Sequence, residues 1–141
     1  MIEKIKFENK IFDNEQLWKL FLTTGWNDDF QLTKEELISA ISNSWYVVSA
    51  VSENKLVGFG RVVSDGILHA MIYEMIIDPD YQLKGIGAEI LKRLLLKCNE
   101  NNIRDVQLFC AKGKKLFYEK YGFVSRPDDA PGMDYMMKLF K

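Results

Sequence analysis

The sequence has few of the residues that build disulfide frameworks and metal centres. Among 141 residues there are two cysteines, Cys98 and Cys110, and one histidine, His69. A structural zinc site takes about four Cys or His ligands, so we expect no metal. No apolar run approaches the roughly 20 residues that span a bilayer, and the first residues lack the pattern of a signal peptide. We therefore expect a cytoplasmic protein with no membrane partner and with reduced thiols.

Neither sign of charge dominates the chain. There are 19 Lys and Arg against 20 Asp and Glu, for a formal net charge of -1. No basic stripe stands out, so nucleic acid is not an expected partner. The length fits one domain, and no internal repeat, low-complexity tract or linker divides it, which predicts a single domain over residues 1–141.

The hydrophobic spacing predicts alternating helices and strands. Asp13 with Gln16, and Thr33 with Glu36, fit the capping box that starts a helix, which predicts helices over 14–23 and 33–43 with a loop between them. Later apolar stripes predict two more helices, over 86–98 and 114–120. Strands are predicted over 4–8, 45–51, 56–63, 70–78 and 106–110, with two closing strands from residue 123 onwards and over 135–140. This order implies an α/β (α+β) fold, with a mixed central sheet of about seven strands and helices on both faces.

A glycine-rich turn, 82–87, lies between a long apolar strand and the strongest helix. Helix first turns leave amides unpaired, and these attract anions together with the helix dipole. Gly85 and Gly87 remove side chains from the path of a phosphate, and Lys84 adds a positive charge. A dinucleotide fingerprint needs a third glycine and a P-loop needs Gly-Lys-Ser/Thr, and both are missing. The glycines alone fit equally well a tight turn without a ligand.

Two motifs together resemble a known family. Residues 76–87 resemble motif A of the GCN5-related N-acetyltransferase (GNAT) superfamily, in which a proline, an aromatic residue and Gln or Arg precede the Gly-x-Gly turn. Residues 117–123 are similar to the Phe-Tyr-x-x-x-Gly-Phe signature of the same superfamily. Residues 56–66 and 131–133 resemble a branch of small single-domain members that is itself similar to the serotonin and arylalkylamine type.

The resemblance implies the GNAT fold and acetyl-CoA as co-substrate, with no metal. In the superfamily, the pyrophosphate lies on the amides of the glycine turn and the pantetheine arm pairs with the end of the preceding strand. Carried over to this sequence, that strand end is Met75, Ile76 and Ile77. The turn is introduced by Gln82, and its amides belong to Leu83, Lys84, Gly85, Ile86, Gly87 and Ala88.

The resemblance also implies a direct attack of an amine on the thioester. Tyr118 matches the usual general acid, since a phenol with a pKa of about 10 keeps its proton at neutral pH. Without the resemblance, Tyr118 would be read as a packed core aromatic. Glu74 is unusual in an apolar strand, and burial would raise its pKa and favour it as a base. The alternative is a structural carboxylate that is hydrogen-bonded to a neighbouring strand or faces solvent. His69 and water are the other candidates for the base. The alternative for His69 is a position in an exposed turn.

The acceptor is expected opposite the CoA, against an aromatic wall formed by Trp26, Phe30, Tyr73, Met133 and Tyr135. Such a wall suits a small-molecule amine through apolar and cation–π contacts. For Trp26, the alternative is an anchor for its loop. Protein N-terminal or lysine acetylation and a non-catalytic acetyl-CoA sensor are the alternative functions, and a homodimer is compatible with the family.

One departure from the family pattern concerns the CoA arm. Many members carry Asn about seven residues before the acid Tyr, whereas residues 110–113 here contain none. Lys112 or Lys114 is the expected substitute toward the CoA phosphates. The alternative is that both lysines are solvated at a helix start.

Overall fold

The computed structural model describes residues 4–135. The chain divides into two compact units, the first ending at Phe109 and the second beginning at Cys110. The single domain predicted over residues 1–141 stays a prediction. The elements of the first unit are, in order, β1 (Ile5–Glu8), α1 (Asn14–Leu22), α2 (Asn27–Phe30), α3 (Lys34–Ser42), β2 (Tyr46–Ser52), β3 (Lys55–Ser64), β4 (His69–Ile77), a 3-10 turn (Pro79–Tyr81), α4 (Ile86–Glu100) and β5 (Asp105–Leu108).

The strands of residues 4–109 form one mixed sheet in the order β1-β2-β3-β4-β5. Neighbours from β1 to β4 are antiparallel, whereas β4 and β5 are parallel. The parallel pair follows from the crossover helix α4, since parallel strands cannot be joined by a tight turn. The predicted mixed α/β class is therefore confirmed.

Alternating residues of β3 face the two helical layers. A Cβ on Gly60 would lie 2.8 Å from Cγ2 of Ile90 and 2.8 Å from Sδ of Met75, so only glycine lets α4 lie this close. The next residue along the strand, Phe59, faces the other side. There it joins a buried core with residues of α1 and α3, namely Leu17, Leu20, Phe21, Leu37 and Ile41. Helices on both faces were predicted correctly.

The two predicted capping boxes differ in the structure. At α3 the box is complete, with Thr33 accepting from the amide of Glu36 and Glu36 accepting from the amide of Thr33. At α1, Asp13 accepts from the amide of Gln16 as predicted. The Gln16 side chain does not return to the cap. Its Oε1 instead accepts from the amide of Leu56 at 2.7 Å, which ties α1 to the β2–β3 hairpin.

The prediction of a plain loop after α1 is wrong for residues 27–30, which form the short helix α2. The side chain of Asn27 closes this segment, because its Oδ1 accepts from the amide of Leu32 at 2.8 Å and its Nδ2 donates to the Leu32 carbonyl at 3.1 Å. These side-chain bonds supply the partners that so short a helix cannot give itself.

The second unit contains one helix among its described residues, α5 (Lys115–Glu119). The strand predicted from residue 123 onwards is wrong, because residues 123–135 contain no strand. Pro127 and Pro131 cannot donate to a ladder, and a turn links the amide of Ala130 to the carbonyl of Pro127. The strand predicted over 135–140 lies outside the described residues apart from Tyr135. The described sheet therefore has five strands, against about seven predicted.

Candidate active site

The turn between β4 and α4 presents unpaired backbone amides. Helix α4 begins at Ile86, and no side chain caps its first turn. Within residues 4–135, no acceptor is in hydrogen-bonding range of the amides from Leu83 to Ala88. Unpaired amides at the positive end of a 15-residue helix form a favourable place for a phosphate group.

The backbone of this turn contains two left-handed residues and is exposed. Leu83 and Gly85 take left-handed φ values of 62° and 84°. A Cβ on Gly85 would meet nothing within 4 Å, so the space beside this residue is free. The Leu83 side chain is fully exposed, and Lys84 is exposed as well. A leucine that is both left-handed and exposed gains nothing from packing, which favours a ligand-binding turn over a merely structural one.

The second feature is the unpaired edge of β4, which we define as the outer edge from Tyr73 to Ile77. Parallel pairing with β5 joins His69 to Asp105 and ends at Ile72 opposite Leu108. Beyond that point, no strand within residues 4–135 pairs with this edge, although β3 pairs with the inner one. The predicted Met75, Ile76 and Ile77 all lie here, and the 3-10 turn separates them from the glycine turn. Backbone groups on such an edge are available to a partner with amide groups.

A bulge interrupts β4 at the start of this edge. Phe59 pairs with Ile76, but Arg61 pairs with Tyr73, so the single residue Gly60 lies opposite both Glu74 and Met75. Glu74 takes a left-handed φ of 48°. An extra residue on one strand bends that strand and redirects its side chains, which is common beside functional sites.

The Glu74 carboxylate is engaged by a neighbouring strand. Nε of Arg61 donates to its Oε1 at 2.5 Å, and both side chains are largely buried, with 16% and 17% exposed. This is the hydrogen-bonded arrangement that the sequence left open as the alternative to a free base. The role of Glu74 as a base stays a prediction.

His69 lies away from the predicted reaction centre. It is the first residue of β4, it is exposed, and its Nδ1 is 2.8 Å from Oδ2 of Asp105. Strand geometry separates it from Glu74, five positions further on, by about 16 Å. The structure thus places His69 at the start of β4 and the other candidate base, Glu74, at the bulge beyond the middle of the strand.

Tyr118 lies in the second unit, in the last turn of α5. The chain leaves this helix through a left-handed Gly122 with φ 93°. The amide of Phe123 donates to the carbonyl of Tyr118 at 3.3 Å, and the amide of Gly122 donates to that of Glu119 at 3.2 Å. This pair of hydrogen bonds is a Schellman motif, in which the side chains at its two ends, here Tyr118 and Phe123, come into contact. The predicted glycine cap is confirmed.

Aromatic rings surround Tyr118 within its unit. Its ring meets that of Phe117 at a centroid distance of 5.1 Å and that of Phe123 at 5.8 Å, both edge to face. Burial raises the pKa of the Tyr118 phenol above its ordinary value, and the electrostatic interaction with Cys110 acts in the same direction. Tyr118 therefore has the ring contacts expected of a packed aromatic residue. It is also a phenol that stays protonated at neutral pH, which the role of general acid requires.

The predicted acceptor residues occupy different environments. Trp26 packs against the core, with its ring centroid 6.4 Å from that of Phe21, and so anchors the start of α2. Phe30, at the end of α2, is 61% exposed. The Tyr73 ring lies 5.8 Å from the guanidinium carbon of Arg61. In the second unit, Met133 and Tyr135 are both exposed. Within the described residues of the first unit, the rings of Trp26, Phe30 and Tyr73 make no contact with one another.

The residues that replace the family Asn are exposed. Cys110, Lys112 and Lys114 all lie on the surface, and Lys114 is the N-cap position of α5 without a side-chain cap bond. No ion pair involves either lysine among residues 4–135. Their predicted contact with CoA phosphates stays a prediction.

Sequence reasoning missed the part played by Arg61. Besides Glu74, its guanidinium reaches α3, where Nη1 donates to the carbonyl of Ala40 at 3.2 Å and to Oγ of Ser44 at 3.3 Å. The available signal was an arginine in an otherwise apolar strand, followed by an acid in the next strand. Charged residues in such positions are rarely buried without a partner.

Within residues 4–135, no group of three or more His, Cys, Asp or Glu side chains is placed to hold a metal ion. The absence of a metal stays an expectation. In the same part of the chain, no helix is both long and apolar enough to cross a bilayer.

A comparison with protein families finds the acetyltransferase (GNAT) domain over residues 13–132. The match covers most of the chain, and the chain therefore belongs to the GNAT family. The resemblance carried by the two sequence motifs is confirmed, and the protein is an acetyltransferase of this family.

Named relatives agree with this assignment. An uncharacterized N-acetyltransferase of Pyropia yezoensis is 30% identical over 141 residues, spanning 93% of this chain and 79% of its own. Serotonin N-acetyltransferase 2, chloroplastic, of Oryza sativa is 27% identical over 72% of this chain and 53% of its own length. Among solved structures, an acetyltransferase of the GNAT family from Streptococcus pneumoniae is 28% identical, with a TM-score of 0.79 over 95% of this chain and 98% of the other.

Proposed function

We propose that this acetyltransferase binds acetyl-CoA on the glycine turn and transfers its acetyl group to the primary amine of a small molecule. One observation supports the proposal most strongly: unpaired backbone groups lie along the outer edge of β4 and again at the start of α4. The unpaired edge of β4 is joined by the 3-10 turn Pro79–Tyr81 to a turn whose amides from Leu83 to Ala88 have no acceptor within residues 4–135.

The residues present fit the chemistry of the co-substrate. Acetyl-CoA carries phosphates, which suit the amides around Gly85, Ile86 and Gly87 at the start of α4, with Lys84 adding charge. Its pantetheine arm carries amides, which suit the backbone of Met75, Ile76 and Ile77 along the unpaired edge. Gln82 lies between the two, where its Nε2 is 3.4 Å from the carbonyl of Ile77.

The reaction needs an acid for the departing sulfur and an amine without its proton. When bound, acetyl-CoA supplies an activated thioester that an amine can attack directly. By its match to the family signature, Tyr118 holds the proton at its Oη, and the raised pKa keeps that proton in place at neutral pH. For the amine proton, water and Glu74 remain candidates, while the position of His69 at the far end of β4 disfavours it.

A small amine is the proposed acceptor because exposed aromatic side chains are available to meet it. Phe30 is 61% exposed, and aromatic faces attract both apolar chains and cations. The name of the rice relative, a serotonin N-acetyltransferase, points to the same class of acceptor. Acetylation of a protein amine and a non-catalytic sensor remain the alternatives. A cytoplasmic location and a homodimer are part of the same proposal.

Two measurements test the proposal. Acetyl-CoA at 100 times its dissociation constant should stabilise the fold by about 2.7 kcal/mol, seen as a higher melting temperature. ATP at equal concentration controls for general phosphate binding, and no shift with acetyl-CoA would refute the cofactor assignment. A panel of arylalkylamines, polyamines and peptides is then assayed for thiol release. Turnover with peptides alone indicates a protein acetyltransferase, and binding without any turnover indicates a sensor.

A further inference from the structure

Arg61 joins the elements that surround the bulge of β4. Its own strand is β3, its Nε donates to Glu74 of β4 at 2.5 Å, and its Nη1 donates to Ala40 and Ser44 at the end of α3. Ser44 is held in turn, since its Oγ donates to the carbonyl of Ile41 at 2.6 Å. The carboxyl end of a helix favours a cation, so the guanidinium is attracted from both sides.

The residue held by Arg61 is the one whose backbone is unusual. Glu74 has a φ of 48°, a conformation that residues with a Cβ seldom adopt unless their surroundings hold them there. In a regular ladder with Arg61 opposite Tyr73, the next residue would point to the other face of the sheet. On the other side of the bulge, where Phe59 lies opposite Ile76, the register would place Glu74 directly opposite Arg61. The ion pair therefore holds Glu74 against Arg61 at the point where the two registers meet.

We infer that Arg61 is a positioning residue for the unpaired edge of β4. By holding Glu74, it keeps the bulge formed and sets the direction in which Met75, Ile76 and Ile77 present their backbone groups. The inference rests on the proposed function, in which this edge receives the arm of acetyl-CoA. The inference assigns Glu74 a positioning role and not that of a base, because its carboxylate orients β4 through the ion pair with Arg61.

The chain offers a matched control in Arg93. Its Nε donates to Oε2 of Glu89 at 2.9 Å, and its guanidinium carbon lies 4.6 Å from the ring centre of Phe7. Arg61 likewise combines an Nε–carboxylate bond with an aromatic face, that of Tyr73 at 5.8 Å. Arg93→Met therefore removes the same two kinds of contact on the α4 side of the sheet, away from the bulge, although Arg61 makes two further bonds to Ala40 and Ser44.

The first test measures backbone order without any ligand. Hydrogen exchange of peptides covering residues 73–77 should quicken at least severalfold in Arg61→Met and stay unchanged in Arg93→Met. Arg61→Lys keeps the charge but not the planar fork, and it should fall between wild type and Arg61→Met. If Arg61→Met proves too unstable, Arg61→Lys against Arg93→Lys gives the same comparison. Equal exchange in the two matched variants would overturn the inference.

The second test measures the consequence for acetyl-CoA. Calorimetry should show affinity for acetyl-CoA about tenfold weaker in Arg61→Met, and kcat about 10- to 100-fold lower, since small displacements of a reacting group are costly. Arg93→Met should match wild type in both. Wild-type protein that does not bind acetyl-CoA would refute the proposed function, whereas wild-type binding with no difference between the two variants would refute only the inference.

The third test separates positioning from base catalysis. Glu74→Gln should lower kcat/KM by a similar factor at every pH and leave the acidic limb of the profile in place. The double variant Arg61→Met with Glu74→Gln should lose little more than either single one, because the two residues act as a pair. Loss of the acidic limb in Glu74→Gln would make Glu74 the base and overturn the inference, as would multiplicative effects in the double variant.

Discussion

Phe123 closes over Tyr118, donating its amide to the Tyr118 carbonyl at 3.3 Å while the two rings meet edge to face at 5.8 Å. The family signature of Phe-Tyr followed by Gly-Phe thus has a structural reason. Its glycine ends the helix in the left-handed conformation, and its last aromatic residue returns to pack on the tyrosine. The motif fixes both the end of α5 and the ring that carries the phenol.

Tyr118→Phe removes the phenol and keeps the ring. The aromatic contacts with Phe117 and Phe123 remain, so we expect the melting temperature and acetyl-CoA affinity to stay near their wild-type values. The kcat should fall about 10²- to 10⁴-fold, which is the usual contribution of a positioned acid. Steady-state kinetics and calorimetry measure the two quantities. Tyr121→Phe, in the same unit, is the control, and unchanged turnover in Tyr118→Phe would remove Tyr118 as the acid.

The pH dependence of kcat should reflect the raised pKa of Tyr118. Burial disfavours the phenolate, so the protonated acid persists above the ordinary value of about 10. Activity that depends on this proton is present below the raised pKa and is lost as the pH rises through it. With a saturating acceptor, the alkaline limb should therefore lie above pH 10, and it should be absent from the residual activity of Tyr118→Phe. A limb that survives the substitution would belong to another group.

Gly85→Ala tests the glycine turn. Both Gly85 and Gly66 have left-handed φ values, 84° and 82°. Alanine at either site should cost about 1 kcal/mol of the free energy of unfolding, because a Cβ is disfavoured there. Only Gly85→Ala should also weaken acetyl-CoA binding, since its Cβ enters the free space beside the unpaired amides. Equal affinity in the two variants would show that the turn is structural.

Gly60→Ala tests the packing of α4 on the sheet. The new Cβ would lie 2.8 Å from Cγ2 of Ile90 and 3.2 Å from Cδ1 of Leu94, whereas on Gly58 the nearest atoms are 3.0 Å away. We expect Gly60→Ala to lower the free energy of unfolding by about 1–3 kcal/mol, the usual cost of overpacking. Gly58→Ala should cost less. Urea unfolding measures both, and the reverse order would contradict this account of the close approach.

Features with local causes were predictable from the sequence. The capping box of Thr33 and Glu36, the stripe of α4 and the Gly122 cap each depend on residues within one or two helical turns, and all are present. The hydrogen-bond partner of the Gln16 side chain was not predictable in this way. Its side chain bonds Leu56, which is 40 residues further along the chain, and such a partner is known only once the hairpin is placed.

The bulge explains why the pairing of Arg61 and Glu74 was missed. Alternation counted from the start of β4 assigns Glu74 to the face that Gly60 occupies, whereas alternation counted back from Ile76, opposite Phe59, assigns it to the face of Arg61. The extra residue in β4 shifts this pattern, and sequence periodicity contains no signal for such a shift. The missing strand after residue 123 has a different cause, because the aromatic and β-branched residues there end a helix rather than start a ladder.

The early end of the β4–β5 ladder also bears on whether further strands can add to the edge of the sheet. A strand with one bare edge is a template on which another chain can add itself. Here the ladder stops at Ile72 and the backbone bends at Glu74, so the bare segment is short and twisted away from the straight line that an added strand would need. The bulge at Glu74 therefore discourages the addition of further strands to the sheet, while the short free edge suits the one extended ligand of the proposed function.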